Sequence, residues 1–387
     1  MGLAPDGGVL TGRPRAPVAP GPKWWRPFAT ACVVLAVLLL PALVAGIRID
    51  APPTPAELDH LRAALVPSDA TAAVGSEVAR QFYVSMLWGV ASLPLDPAAA
   101  AAVVTQARMA QLASLLGLTL LLYLAVLLAR GRLQALMAAG ALLLLPPVSS
   151  EGHVLRPETP TAVFCLLSLV LLQCLAQPGQ RRHRGRVPRT VFLAGLVLCV
   201  SIAQGLAVAT LPSSGECLLV PGVVLTIAAV QLGLRGLRVV RREGLERAPM
   251  RSINGRLLPW TASALLAPAI ALLLLSVAVV VPAEALPPST SAQGLWPVRS
   301  AWHVVLFTLL GIGVVAGVLR TGLRFGRRGR IGADLVLMIY CVVFLGAAIG
   351  SPASEDRLLA APAMAVVLSE GVCALLVMLR GGSLAPK

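Results

Sequence analysis

Apolar runs of about twenty residues recur along the chain and constrain its fold more than any other feature of the sequence. A helix of about twenty apolar residues is long enough to cross the hydrocarbon core of a bilayer. Because lipid offers no hydrogen-bond partner, a spanning segment must satisfy its backbone internally, as an α-helix does. We therefore predict an all-α integral membrane protein with about ten transmembrane helices. The predicted spans are residues 28–47, 109–129, 133–148, 160–176, 191–211, 217–234, 259–281, 302–319, 331–350 and 359–379.

The composition of the chain agrees with this class. Hydrophobic residues make up 57% of the sequence and charged residues only 13%, whereas ordinary soluble domains have roughly 45–50% and 25%. That excess of apolar residues is too large for the core of a water-soluble protein. A soluble enzyme, a secreted domain and a disordered scaffold are therefore excluded.

Basic residues are distributed unevenly between the predicted loops. The net charge is +15. With the N-terminus placed in the cytoplasm, the cytoplasmic segments hold 25 of the 32 Lys and Arg, and the outer segments hold 12 of the 17 Asp and Glu. Since Lys and Arg collect on the cytoplasmic side of membrane proteins, we predict that both termini are cytoplasmic. The predicted organisation is a flexible cytoplasmic tail over 1–27, a single polytopic membrane domain over 28–379, and a cytoplasmic tail over 380–387.

The positive charge does not indicate a nucleic-acid partner. Basic runs such as Arg181 to Arg184 directly adjoin predicted spans, where membrane topology and anionic headgroups account for them. No helix-turn-helix, zinc or aromatic-basic pattern accompanies them. We expect membrane lipids as partners and no nucleic acid.

The first outer loop, residues 48–108, is the place where catalysis is most plausible on chemical grounds. Asp50 is its third residue, and Glu57 and Asp59 follow shortly after. A carboxylate at the water–membrane boundary suits a general base, because partial desolvation raises its pKa; alternatively, Asp50 only ends the first span. Leucines at helical spacing in 55–65 predict an amphipathic surface helix, and the half-apolar stretch 82–95 predicts a second interfacial or re-entrant helix.

Two further outer loops carry groups suited to phosphate or metal binding. Glu151 and His153 are candidate ligands for a divalent metal ion, and Arg156 and Arg357 are candidate phosphate-binding residues, because a guanidinium holds phosphate through parallel hydrogen bonds. Ordinary hydrophilic loops have similar compositions, so a purely structural role is the alternative.

Glu370 is an ionisable residue near the middle of the last predicted span. Such a residue is costly in hydrocarbon and is usually paired or functional. Glu370 has either a structural role, as part of a buried pair or as a protonated carboxyl, or a functional role in proton transfer or transport. Asp334 lies close enough to the cytoplasmic end of its span to reach water.

Several segments together resemble the polytopic glycosyltransferases of the GT-C class, in particular the branch of protein mannosyltransferases and aminoarabinose transferases. The acidic residues Asp50, Glu57 and Asp59 follow the first span, as that family's acidic motif does. An aromatic stretch, 81–88, and an arginine that opens the next span, Arg108, come in the family's order. The pair Arg156-Pro157 and the segment 355–365 resemble its later outer motifs.

The resemblance implies a membrane enzyme that moves a hexosyl or pentosyl group from a polyprenyl-phosphate donor to an acceptor on the extracytoplasmic face. It implies Asp50 as general base, with Glu57 and Asp59 as alternates, and Arg156 and Arg357 at the donor phosphate. A divalent metal at Glu151 and His153 would assist. It also implies the bacterial inner membrane and a role in the cell envelope. The alternatives are a transporter or permease with Glu370 in its path, and a degenerate relative without catalysis.

Overall fold

A computed structural model describes the structure of residues 97–145, 158–176, 189–243, 250–279, 301–328, 332–350 and 355–379, and of the single residues Leu35, Ala36, Leu39, Glu57, Val148 and Leu155. The chain divides into two units, residues 1–36 and 37–387. Every helix that follows belongs to the second unit. The tails 1–27 and 380–387, and the predicted surface helices at 55–65 and 82–95, lie outside the described residues apart from Glu57.

The described residues are helical, with no strand among them, and form nine α-helices and one short 3-10 turn at Pro212–Gly215. The helices are α1 (Pro97–Ala129), α2 (Arg132–Leu144), α3 (Glu158–Ala176), α4 (Arg189–Thr210), α5 (Glu216–Glu243), α6 (Met250–Val279), α7 (Ala301–Arg328), α8 (Ala333–Gly350) and α9 (Glu355–Leu379).

Each predicted span from 109 to 379 coincides with one of these helices. Four stretches are long and apolar enough to cross a membrane: Ala101–Ala129, Glu158–Ala176, Val191–Thr210 and Leu358–Leu379. The apolar parts of four other helices within the described segments are shorter. The described residues are therefore all helical and include four helices that are candidates for membrane spans, while the count of ten spans and the positions of the termini stay predictions.

Several predicted boundaries differ from those in the structure, and three of the differences have a plain physical reason. Helix α1 begins at Pro97 instead of 109, because the alanine-rich segment before the apolar run favours a helix outside lipid as well. Helix α2 ends at Leu144 instead of 148, just before two prolines that cannot continue its hydrogen bonds. Helix α7 runs to Arg328 instead of 319, since its basic end continues the helix past the apolar part.

The turn between α1 and α2 is very tight. Gly131 has φ +104°, a conformation that L side chains rarely adopt. The amide of Arg130 donates to the Val126 carbonyl at 2.7 Å, and the Gly131 carbonyl accepts from Ala135 at 3.1 Å. One helix therefore ends and the next begins within two residues, which fixes Arg130 at the end of α1.

The core of the bundle is built around α3, α8 and α9. Helix α3 packs against α1, α4, α8 and α9, and α8 also contacts α5 and α7. Tyr340 on α8 is fully buried in this core, with its ring centroid 4.4 Å from that of Phe344. By contrast, α6 exposes Leu265, Leu272 and Leu273 by 61 to 74%, as expected for a helix face that meets lipid.

Helices α7 and α9 approach each other closely at two glycines. A Cβ atom placed on Gly313 would run into the Val367 carbonyl, and one placed on Gly371 would run into the Leu309 carbonyl. Small residues of this kind let the backbones of membrane helices come together. Glu370, next to Gly371, is thereby held at the surface of α7.

Candidate functional site

A buried ion pair joins the first outer loop to α1. Arg108 donates from Nε to Glu57 Oε1 at 3.0 Å and from Nη2 to Glu57 Oε2 at 2.8 Å. The side chains of Arg108 and Glu57 are 2% and 0% exposed. Two parallel charge-assisted hydrogen bonds of this kind fix orientation as well as position. The loop is therefore anchored at Glu57 to Arg108 of α1.

The same carboxylate reaches the second outer loop. The backbone amide of Leu155 donates to Glu57 Oε1 at 3.3 Å, and the Leu155 side chain is fully buried. Leu155 directly precedes Arg156, one of the predicted phosphate-binding residues. Glu57 thus brings the two outer loops that carry most of the predicted site residues into direct contact.

Polar side chains continue this contact at the beginning of α3. Gln111, one turn along α1 from Arg108, donates from Nε2 to Thr159 Oγ1 at 2.7 Å. Thr161 shares a hydrogen bond of 2.8 Å with Thr210 of α4. Glu158 is buried in the first turn of α3, where the positive end of the helix dipole favours a carboxylate. We call Glu57, Arg108, Gln111, Leu155, Glu158 and Thr159 the outer cluster.

Most of the predicted site residues lie outside the described part of the chain: Asp50, Asp59, Glu151, His153 and Arg156. Arg357 lies in the first turn of α9. Among the described residues, no group of three or more His, Cys, Asp or Glu side chains is placed to hold a metal ion. The metal at Glu151 and His153 and the roles of the other residues stay predictions.

A second cluster of charged side chains surrounds Glu370. Arg130 Nε lies 2.8 Å from Glu370 Oε1, an ion pair in which the N–H bond does not point straight at the oxygen. Arg320 Nη1 of α7 lies 3.5 Å from Glu370 Oε2. Of the alternatives for Glu370, the structure therefore shows a buried pair. We call Arg130, Arg320, Arg324, Asp334 and Glu370 the inner cluster.

Asp334 extends the inner cluster towards the surface. It pairs with Arg324, and its Oδ2 lies 3.7 Å from Arg130 Nη1. Its side chain is 20% exposed. Arg130 also donates from Nη2 to Thr321 Oγ1 at 2.8 Å. The cluster thus ties the link between α1 and α2 to α7, α8 and α9.

Burial has an electrostatic cost at Arg130, whose side chain is 0% exposed. Burial lowers the pKa of the Arg130 guanidinium, and the carboxylates of Glu370 and Asp334 act in the opposite direction. An arginine nevertheless stays protonated in proteins. Its charge therefore has to be balanced by the two carboxylates.

Sequence reasoning missed the partners in both clusters. The sequence pattern places Arg108 at the start of a span, and Arg130, Arg320 and Arg324 belong to the 25 Lys and Arg that it assigns to the cytoplasmic segments. One signal for the inner cluster was available: a carboxylate in the middle of a span needs a cation nearby. Which of the many arginines supplies it depends on helix packing.

Neither the comparison with protein-family models nor the comparison with curated proteins finds a match. Solved structures do match. The chain superposes on the oligosaccharyltransferase of Archaeoglobus fulgidus in the apo form with a TM-score of 0.51, at 12% identity, over 93% of this chain and 52% of that one. The complex of the same archaeal oligosaccharyltransferase, AglB, with an inhibitory peptide and a dolichol-phosphate gives a TM-score of 0.50, again at 12% identity and with 93% and 52% covered.

These matches define the class of fold. The helices are arranged as in an oligosaccharyltransferase, a membrane glycosyltransferase of the GT-C class. The chain spans about half the length of the structures it matches, 52%. The narrower branch, the protein mannosyltransferases and aminoarabinose transferases, stays a prediction from the sequence.

Proposed function

We propose that this protein is a membrane glycosyltransferase that transfers a sugar from a polyprenyl-phosphate donor to an acceptor on the extracytoplasmic face. The observation that carries the proposal is the contact of Glu57 with both Arg108 and the Leu155 amide. It joins the loop that begins with Asp50 to the loop that contains Arg156, on a fold shared with an oligosaccharyltransferase.

Asp50 is the better candidate for the general base than Glu57. A general base must lie within hydrogen-bond reach of the proton that it removes. The Glu57 carboxylate is fully buried, and both of its oxygens accept hydrogen bonds from Arg108. Its role in the proposal is to position the loop, while Asp50, with Asp59 as the alternate, removes the proton of the acceptor hydroxyl.

The leaving group requires positive charge. When the acceptor oxygen attacks the anomeric carbon, the bond to the lipid phosphate breaks and negative charge develops on that phosphate. Arg156 follows Leu155, which the outer cluster fixes, and Arg357 lies in the first turn of α9, a helix that packs against α3. We assign these two arginines to the donor phosphate, with Glu151 and His153 as ligands if the reaction employs a metal ion.

The nature of the donor rests on the neighbouring structure. AglB has been solved with a dolichol-phosphate and an inhibitory peptide, and we infer by analogy a lipid-linked donor for this chain. The sugar would be a hexosyl or pentosyl group. A bacterial inner membrane, with the active face outside, fits the predicted topology.

The transporter alternative places Glu370 in the transport path. This carboxylate is paired with Arg130 and Arg320. The glycosyltransferase proposal uses no residue of the inner cluster.

Release of polyprenyl phosphate tests the proposal. Membranes that contain the full chain are incubated with a panel of hexosyl and pentosyl polyprenyl phosphates, and the released polyprenyl phosphate is quantified by mass spectrometry. We expect Asp50→Asn to lower the rate by about 100-fold or more, the usual contribution of a general base. Arg156→Gln should lower it by about as much, through loss of charge stabilisation.

Asp59→Asn is the matched control, since it removes a carboxylate from the same loop and should leave the rate near that of the wild type. Full activity in both Asp50→Asn and Arg156→Gln, at equal protein levels in the membrane, would overturn the assignment. Loss of activity in Asp59→Asn alone would move the general base to Asp59.

A further inference from the structure

The inner cluster has an excess of positive charge that its own carboxylates do not neutralise. Arg130, Arg320 and Arg324 face two acidic residues, Asp334 and Glu370, which leaves one net positive charge. The positive charges are also distributed unevenly between the buried and the exposed parts of the cluster. Arg130 is fully buried against Glu370, whereas the side chains of Arg320 and Arg324 are 32% and 29% exposed. The excess charge therefore lies on the outward side of the cluster.

A buried amide next to these arginines has an unused donor. Gln134 of α2 is 5% exposed, and its Oε1 accepts from Arg320 Nη1 at 3.3 Å. Its Nε2 atom makes no hydrogen bond with any residue that the structure describes. Leaving a buried donor unsatisfied costs about 1–3 kcal/mol, so an acceptor at this place is favoured.

Arg320 has unused donors too. A guanidinium carries five N–H groups, and within the described helices Arg320 uses only Nη1, towards Gln134 and Glu370. The remaining N–H groups of Arg320 and the Gln134 amide are therefore hydrogen-bond donors without an acceptor. A phosphate group, whose oxygens accept hydrogen bonds, would satisfy them.

The surface around these donors is apolar and exposed. Leu319 and Leu323, on either side of Arg320 in α7, are 58% and 50% exposed, and Leu133, next to Gln134, is 72% exposed. Exposed leucines beside exposed arginines at the end of an apolar helix suit the boundary where acyl chains meet headgroups. A free anion in water would make no use of those leucines.

We propose that Arg320, Arg324 and the Gln134 amide bind the phosphate of an anionic phospholipid, with the acyl chains along the exposed leucines of α2 and α7. The net charge of the cluster selects an anionic lipid over a zwitterionic one. The site is separate from the outer cluster and independent of the proposed glycosyl transfer.

Native mass spectrometry of the full chain tests this proposal. The purified protein is taken from nanodiscs that contain equal amounts of phosphatidylglycerol and phosphatidylcholine, and the retained lipids are counted. We expect a preference for phosphatidylglycerol that falls about five-fold in Arg320→Gln and again in Arg324→Gln, the usual contribution of one basic residue at an anionic surface. Gln134→Leu, which changes no charge but removes a donor to the phosphate, should lower the amount of phosphatidylglycerol that is retained and leave the preference close to that of the wild type.

Arg238→Gln is the matched control, because it removes the same charge from the basic end of α5 and should leave the preference unchanged. The proposal is overturned if Arg320→Gln and Arg324→Gln keep the wild-type preference, or if Gln134→Leu retains as much phosphatidylglycerol as the wild type. It is also overturned if inorganic phosphate displaces phosphatidylglycerol completely, since the site would then bind free phosphate.

Discussion

The outer and inner clusters are both built around a buried arginine and glutamate, yet they differ in charge balance. In the outer cluster, Arg108 and Glu57 neutralise each other through two hydrogen bonds, and neither is exposed. In the inner cluster, the buried pair of Arg130 and Glu370 is surrounded by further arginines that are about one-third exposed. A closed, neutral pair positions the chain, whereas an open, positive cluster also has the capacity to bind an anion.

The largest effect on stability is expected from the buried half of the inner cluster. Arg130→Met removes the cation that lies closest to Glu370 and leaves that carboxylate with the more distant Arg320. Breaking a buried pair in this way typically costs about 3–5 kcal/mol. We expect a clear loss of thermal stability in detergent, measured by differential scanning fluorimetry.

A double substitution distinguishes the loss of the ion pair from the loss of side-chain packing. Arg130→Met/Glu370→Leu removes both charges together and fills their places with apolar side chains, so that neither charge of this pair is left unpartnered. We expect this variant to recover part of the lost stability. If the single variant Arg130→Met is as stable as the wild type, the buried pair contributes nothing and the comparison of the two clusters fails.

The outer pair should give a loss of stability at the lower end of the same range, together with faster proteolysis of its loop. Glu57→Gln leaves the buried Arg108 without a carboxylate but keeps an amide oxygen that accepts a hydrogen bond, so we expect a cost of about 3 kcal/mol. Because Glu57 anchors the loop 48–108, trypsin should cut faster at Arg62 and Arg80 in this variant, measured by time-resolved proteolysis.

The matched control for that experiment is Asp59→Gln, in the same loop. Equal cleavage rates in the wild type, Glu57→Gln and Asp59→Gln would mean that Glu57 does not hold the loop in place.

Close packing of α7 on α9 brings the inner cluster together, and Gly313→Ala tests it. The added methyl group would meet the Val367 carbonyl, so the helices must separate, at a typical cost of about 1–3 kcal/mol for overpacking. Gly311→Ala, two residues away, meets no atom of the described residues within 4 Å and should be neutral. Equal thermal stability of the two variants would contradict this packing.

The smallest effect is expected at the surface of the inner cluster. Arg324 and Asp334 form a partly exposed ion pair, and pairs of this kind contribute about 1 kcal/mol or less. Arg324→Gln should therefore barely change thermal stability, although it lowers the lipid preference. A loss of stability as large as that of Arg130→Met would show that the exposed half of the cluster is structural.

The helices were predictable from the sequence because hydrocarbon leaves an apolar run of about twenty residues little alternative to a helix. The prediction placed each helix from α1 to α9 correctly, and it missed mainly the ends, where alanine-rich or basic segments extend helices beyond the apolar part. The ion pairs were not predictable. Glu57 and Arg108 are 51 residues apart in the chain. The sequence also does not show which of the many arginines pairs with Glu370, because this depends on the packing of α7, α8 and α9.

The central claim is that the two outer loops meet at one site, and cross-linking of positions 50 and 156 tests it most directly. Both residues are changed to cysteine in a background from which the native cysteines have been removed, and a short bifunctional thiol reagent is added. The pair at 111 and 159, whose side chains share a hydrogen bond of 2.7 Å, serves as positive control. We predict a cross-link for both pairs. A cross-link at 111 and 159 without one at 50 and 156 would contradict the proposed site.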